Sequence, residues 1–141
     1  MTKDKVVIDA SVINAILLGE PSVYAHQLFT QLENQTIQPF APRLIGDECL
    51  NALLKAKYHQ RIDEQGFHTR LAILLDLLPL IYLIDSSESQ LQFRANLCLR
   101  HNLRSYDALY LALAVSFQIP LVTLDQRLAR AAQQESCCYR I

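Results

Sequence analysis

Two stretches of the sequence share one pattern. Val6-Val7-Ile8 runs into Asp9, Ala10 and Ser11, and Leu121-Val122-Thr123-Leu124 runs into Asp125 and Gln126. Each reads as a buried strand that stops at an aspartate and turns into a helix. In a parallel sheet both carboxylates stand at carboxyl ends of strands. If the two strands are neighbours where strand order reverses, both acids face the crevice in which open α/β sheets bind ligands. Asp107 is a third candidate. It opens the most apolar helix, directly before Ala108-Leu109-Tyr110-Leu111-Ala112-Leu113-Ala114-Val115, where a carboxylate without a partner is costly. Glu48 is the fourth, in a helix with Ile45, Cys49 and Ala52 on its packing faces. Adjacent Asp47 takes its place in another register. Structural roles stay open for each acid. Asp9 and Asp125 suit helix capping, Asp107 suits a pair with Arg104 or capping-turn contacts, and Glu48 suits a solvated helix face.

Together these acids imply a cation. Two carboxylates about 4 Å apart repel by roughly 4 kcal/mol at an effective dielectric near 20. Without a counter-charge some of them must take up protons. An all-oxygen donor set selects Mg²⁺ or Mn²⁺ over zinc. Such an ion acidifies bound water and neutralises charge on a phosphate, so hydrolysis of a phosphodiester is the expected chemistry.

The elements that must position these acids are legible in outline. Strands are expected at 6–8, 36–40, 80–84 and 119–124, and an edge strand at 138–141. Helices are expected at 10–18, from Ser22 to about 32, and from Pro42, in the first turn, to about 58. Further helices are expected at 62–77 despite Gly66, from about 88 to 101, at 105–117 and at 126–134. Strands alternating with helices imply βαβ units and a parallel sheet covered on both faces.

A chain of 141 residues, 51% hydrophobic and 19% charged, suits one globular domain spanning 1–141 with one core. The formal net charge of −1 provides no global basic field, so nucleic acid would have to be held by a local patch. Arg43, Lys55, Arg61, Arg100, Arg104 and Arg127 are candidates for that patch, and solvated helix faces are the ordinary alternative. Cys49, Cys98, Cys137 and Cys138 form no C-x-x-C pair and read as thiols in a reducing compartment. His26, His59, His68 and His101 lack metal-ligand spacing and read as surface residues. The N-terminus shows neither a secretory signal nor a membrane span, so a cytoplasmic location is expected. Glycine-rich phosphate loops and a nucleophile-elbow context for Ser11 are missing.

At the four acids the sequence resembles the PIN-domain family, in particular the VapC-type toxins of bacterial toxin–antitoxin pairs. The matching stretches are Val7-Ile8-Asp9-Ala10-Ser11-Val12, Glu48-Cys49-Leu50-Asn51-Ala52-Leu53, Ser105-Tyr106-Asp107-Ala108-Leu109-Tyr110-Leu111-Ala112-Leu113-Ala114, and Leu121-Val122-Thr123-Leu124-Asp125-Gln126-Arg127-Leu128-Ala129. They occur in the family's order from end to end of the chain. The resemblance implies a three-layer α/β/α sandwich around a short, mainly parallel four- to five-stranded sheet. It implies Asp9, Glu48, Asp107 and Asp125 as catalytic and metal-binding acids, with one or two Mg²⁺ or Mn²⁺ ions and in-line hydrolysis of RNA. Ser11 and Thr123 match hydroxyl positions that assist such a site, and Asn51 matches a frequent polar position. A homodimer and a cognate antitoxin covering the active site are the implied partners.

Two other readings compete. One is a catalytically silent PIN-like module that binds RNA or protein. The other is a flavodoxin- or response-regulator-like domain using an acidic pocket for phosphoryl chemistry. That one requires a lysine on a late strand, and the sequence has none after Lys57.

Overall fold

The chain begins with β1, Asp4–Ile8, whose Val6, Val7 and Ile8 are fully buried. An unbroken β-branched run buried on both faces belongs at the centre of a covered parallel sheet. In the computed structural model, which describes residues 3–137, β1 lies between two parallel neighbours. They are β2, Ile37–Pro42, and β4, Leu121–Val122. β3, Tyr82–Ile84, pairs in parallel with β2, giving the order β3-β2-β1-β4. Strand order therefore reverses between β1 and β4.

Among the described residues, seven α-helices cover this sheet. One group is α1, Ala10–Leu18, α2, Val23–Glu33, α3, Ile45–Tyr58, and α4, Glu64–Leu77. These pack on one another, α1 touching α2, α3 and α4. The other group is α5, Leu91–His101, α6, Ser105–Phe117, and α7, Gln126–Gln134. Within it α6 touches both α5 and α7 and lies across β1, β2 and β4. The result is the α/β/α sandwich around a parallel sheet. The core follows from the apolar faces: Ile13, Leu28, Ile45, Leu53, Tyr110, Leu111 and Leu128 are almost wholly buried. Each such aliphatic side chain contributes about 1.5–3 kcal/mol relative to exposure.

Local chemistry sets the boundaries. Ser22 accepts from the Ala25 N–H at 3.1 Å and caps α2 as expected. Asp63 accepts from the Gly66 N–H at 2.6 Å, so α4 starts at Glu64 rather than 62 and Gly66 falls in its first turn. Pro42 does not open a helix. Proline's fixed φ fits extended backbone as well as a first helical turn. It ends β2, and α3 begins at Ile45. Leu78–Leu80 and Glu88–Gln90 are short 3₁₀ turns, which trims the strand expected at 80–84 and the helix expected from 88. β4 is two residues long, shorter than 119–124, because Thr123 and Leu124 leave the ladder for the site described below. The edge strand expected at 138–141, with Cys138, lies outside the described residues.

Candidate active site

Asp9 follows β1 directly, and its N–H donates to Val122 O at 3.0 Å. The register pairs Ile8 with Val122, so Asp9 faces Thr123 across the β1/β4 boundary. The Thr123 hydroxyl donates to Asp9 Oδ2 at 2.8 Å, and the hydroxyl of Ser11, the second residue of α1, donates to the same oxygen at 2.6 Å. With those protons committed, the 3.2 Å approach of the two hydroxyls is proximity rather than a bond. Each hydroxyl oxygen also accepts a backbone N–H: Leu124 N reaches Ser11 Oγ at 3.0 Å, and Asp125 N reaches Thr123 Oγ1 at 3.0 Å. Two side chains thus fix the first acid and the chain entry to the last one.

The other acids arrive from separate elements. Asp125 caps α7 by accepting from the Leu128 N–H at 3.0 Å. Asp107 stands in the first turn of α6, where the backbone N–H of Arg104 at the helix entrance favours its charged form. Both acids therefore face a helix N-terminus. A carboxylate has about four lone-pair sites, so capping leaves capacity for a ligand. Glu48, in the first turn of α3, accepts at 2.6 Å from the hydroxyl of Tyr110 on α6. These helices enclose a cavity of about 620 Å³ whose walls include Glu48, Asp107 and Asp125 beside Arg104, Arg127 and Arg130. Asp9 is buried, only 6% exposed.

The four charges act on one another. Burial pushes the Asp9 carboxyl above its ordinary range and Asp125 pushes it further, while the bonds from Ser11 and Thr123 work against both. Glu48 is raised by burial and then by Asp9 and Asp107, against the bond from Tyr110. Asp107 is raised by burial and then by Asp9 and Asp125, with partial relief from Arg104. Burial and the Glu48 bond also drive the Tyr110 phenol far up, so it stays a donor. Buried Cys49, beside Glu48, is pushed up to about 12 and stays a thiol.

Asp9, Glu48 and Asp107, oxygen donors held above their ordinary range, lack positive charge, and with Asp125 they fit Mg²⁺ or Mn²⁺. The acids do not close on a point: among the described residues no three His, Cys, Asp or Glu side chains come near enough to hold an ion unaided. Mg²⁺ commonly keeps several waters and takes only one or two carboxylates.

Sequence reading missed two residues here. Tyr110 stands within the apolar run of α6, yet a fully buried tyrosine needs a hydroxyl partner. Arg130 stands three residues after Arg127 on α7, the spacing that places both on one face. Asn51 is exposed on α3, one turn beyond Glu48. Asp47 is exposed and lines the neighbouring cleft instead of the acid cavity. Among the expected cations, Arg104 and Arg127 reach the site, whereas Arg43 pairs with Asp85 and Arg100 with Glu135. His101 is not a surface residue. Its side chain is 3% exposed, with Nδ1 on Gln134 Oε1 and Nε2 on Glu135 Oε1.

Residues 6–134 match the PIN domain family. The chain belongs to the PIN domain family. This PIN domain is 37% identical over 130 residues to Ribonuclease VapC1 of Mycobacterium tuberculosis, in two strains, covering 91% of each chain. The crystal structure of PAE2754 from Pyrobaculum aerophilum matches with a TM-score of 0.72, covering 91% of this chain and 79% of that one. At 21% identity that likeness speaks for the PIN fold alone. No helix among the described residues of the PIN domain is long and apolar enough to cross a membrane.

Proposed function

We propose that this PIN domain is a metal-dependent endoribonuclease that hydrolyses RNA phosphodiester bonds and serves as the toxin of a toxin–antitoxin pair. The observation that carries the reading is the gathering of Glu48, Asp107 and Asp125 from three elements around one arginine-bordered cavity, with the charge of buried Asp9 acting on Glu48 and Asp107. The kinship with Ribonuclease VapC1 supports it.

Asp9, Glu48, Asp107 and Asp125 are the proposed holders of Mg²⁺ or Mn²⁺. When bound, the ion supplies a Lewis acid that offsets phosphate charge and acidifies water. The rest falls to the chain. Ser11 and Thr123 fix the Asp9 carboxylate through Oδ2. Tyr110 holds Glu48 through Oε1 and leaves Oε2 to orient water or accept its proton. Arg104, Arg127 and Arg130 border the cavity as phosphate partners, in the guanidinium geometry suited to phosphate oxygens. Their positive charge sits beside the acids, which accounts for nucleic-acid affinity in a chain of net charge −1.

Incubation of the purified protein with RNA and Mn²⁺ tests the proposal. Cleavage that stops in chelator and in folded Asp9→Asn supports it, and cleavage undiminished by both sinks it. For the toxin role, expression should arrest growth, and the product of a small adjacent gene should relieve the arrest. Homodimerisation and a cytoplasmic location carry over as expectations; light scattering checks the first and fractionation the second.

A second reading, a catalytically silent module that binds RNA or protein, draws on the spread of the acids. It expects no Mn²⁺ heat in calorimetry and RNA left intact.

A further inference from the structure

The helix that follows Asp125 is tied down at both ends. At its start, Arg127 Nη1 donates to the backbone oxygen of Asn102 at 3.3 Å. At its end stand Gln134 and Glu135. The Nε2–H of His101 donates to Glu135 Oε1 at 2.8 Å, and Nδ1 lies 3.0 Å from Gln134 Oε1. A carboxylate only accepts, so Nε2 is the nitrogen that carries hydrogen there. Arg100 Nη1 donates to the same Glu135 oxygen at 2.6 Å. Arg100 and His101 belong to the last turn of α5, and Asn102 ends that helix in the left-handed conformation, with φ 53°. Arg104 then opens α6, which has Asp107 in its first turn. Both ties therefore join α7 to the corner that delivers Asp107.

A force opposes this arrangement. Asp107 and Asp125 act on each other as like charges across the boundary between α6 and α7. Their repulsion favours swinging the start of α7 away from the cavity. With nine residues, α7 separates its two ends by about 13 Å. A single tie at the start leaves the helix free to pivot about it, and a second tie at that distance fixes its direction. The second tie is also sheltered from water, since the His101 side chain is 3% exposed and that of Glu135 17%. Apolar side chains of the same shape would stabilise the fold as well. What directional bonds add is one fixed arrangement. The seam lies directly behind the site. Arg127 and Arg130 line both the acid cavity and a hollow of about 300 Å³ whose other walls include His101, Asn102 and Gln134.

We propose that His101 is a positioning residue of the active site: by anchoring the end of α7 through Glu135 and Gln134, it holds Asp125 opposite Asp107, so that both carboxylates serve one metal-binding cavity. The inference rests on the metal-dependent reading above and gives a role to a residue outside the cavity. The experiment separates the two.

Calorimetry of the full chain with Mn²⁺ tests this, and thermal melts confirm that each variant folds. Removing a group that orients a metal ligand typically weakens metal binding about 10- to 100-fold, and His101 acts one step further out. His101→Phe, which keeps a ring and loses both bonds, should therefore weaken Mn²⁺ binding about fivefold to tenfold. Glu135→Ala, at the outer edge of the seam, should do the same and carries the test if His101→Phe does not fold. The two changes together should do no more than either alone. Glu135→Gln keeps an oxygen for the His101 N–H and should retain wild-type affinity. Leu28→Val, a core change in the other helix group, should lower the melting temperature and leave Mn²⁺ affinity alone. In Asp125→Asn, which keeps its cap, His101→Phe should cost no further affinity, because the carboxylate it places is gone. With RNA, the loss should fall on kcat and spare KM, since Arg104, Arg127 and Arg130 still border the cavity. A His101→Phe variant that melts lower yet binds Mn²⁺ like the wild type overturns the inference, and RNA cleavage by the wild type would then leave the ribonuclease reading standing. An undiminished effect of His101→Phe in Asp125→Asn also overturns it. A wild type that binds Mn²⁺ without cutting RNA removes the ribonuclease reading, and the pattern of affinities then decides the inference alone. A wild type that binds no Mn²⁺ overturns both.

Discussion

The hydroxyl of Tyr110 on α6 donates to Glu48 Oε1 on α3 at 2.6 Å, joining two helices through one of the four acids. Tyr110 is fully buried, and its phenol is driven far above the ordinary range, so it remains a donor at any working pH. The bond holds a half-buried carboxylate that Asp9 and Asp107 push toward protonation.

Tyr110→Phe removes that donor and keeps the packing. Hydrogen bonds to charged groups contribute about 1.5–3 kcal/mol, less where water reaches the acceptor, so unfolding stability is expected to fall by about 1–2 kcal/mol. Mn²⁺ affinity in calorimetry is expected to fall about tenfold, for roughly 1.4 kcal/mol of lost positioning. Unchanged affinity would remove Glu48 from the metal site or Tyr110 from its support.

Thr123→Val keeps the shape of the side chain and deletes a hydroxyl that donates to Asp9 and accepts from Asp125 N. The N–H left without an acceptor costs about 1–3 kcal/mol in denaturant melts. Ser11→Ala should act on the same oxygen of Asp9. The double variant is therefore expected to be non-additive, with a coupling of about 0.5–3 kcal/mol. Additive losses would mean that the hydroxyls act separately.

Asp125 has two roles that substitution can separate. Asparagine caps helices as well as aspartate does, whereas alanine loses about 0.5–2 kcal/mol. Asp125→Asn is expected to melt near the wild type and lose Mn²⁺-dependent RNA cleavage, while Asp125→Ala loses both. Full cleavage by Asp125→Asn would leave the residue a cap and nothing more.

Asp9, Glu48 and Asp107 all have folded-state pKa values raised above the ordinary 3.8 to 4.5. A carboxyl of this kind binds its proton more tightly in the folded chain. Its contribution therefore favours the fold at low pH and becomes a penalty as pH rises through the folded pKa. In chelator, the melting temperature of the wild type relative to Asp9→Asn should fall as pH rises from the carboxylate range toward neutrality. Mn²⁺ should restore stability at neutral pH, since a ligand bound only by the folded state shifts the equilibrium by mass action. A wild-type-minus-variant difference that is flat with pH would contradict the burial of Asp9.

The chain order of residues by itself determined the two buried strands that lead toward Asp9 and Asp125, the caps at Ser22 and Asp125, and the deep burial of α6. Those features follow from neighbours in the chain: β-branched runs, a hydroxyl or carboxylate at a helix start, and an apolar surface on every side. Pro42 shows where local reading fails, since one φ angle serves both a helix start and a strand end and the sheet chose the strand. Tertiary structure alone decided that Thr123 meets Asp9 across 114 positions and that Tyr110 meets Glu48 across 62. It also turned Asp47 away from the acids, brought Arg130 beside them and buried His101 between α5 and the end of α7. No local pattern encodes these pairings. They arise where strand order reverses at β1 and β4 and the helices after both strands converge on one crevice, and only there do the charges of distant residues begin to act on each other.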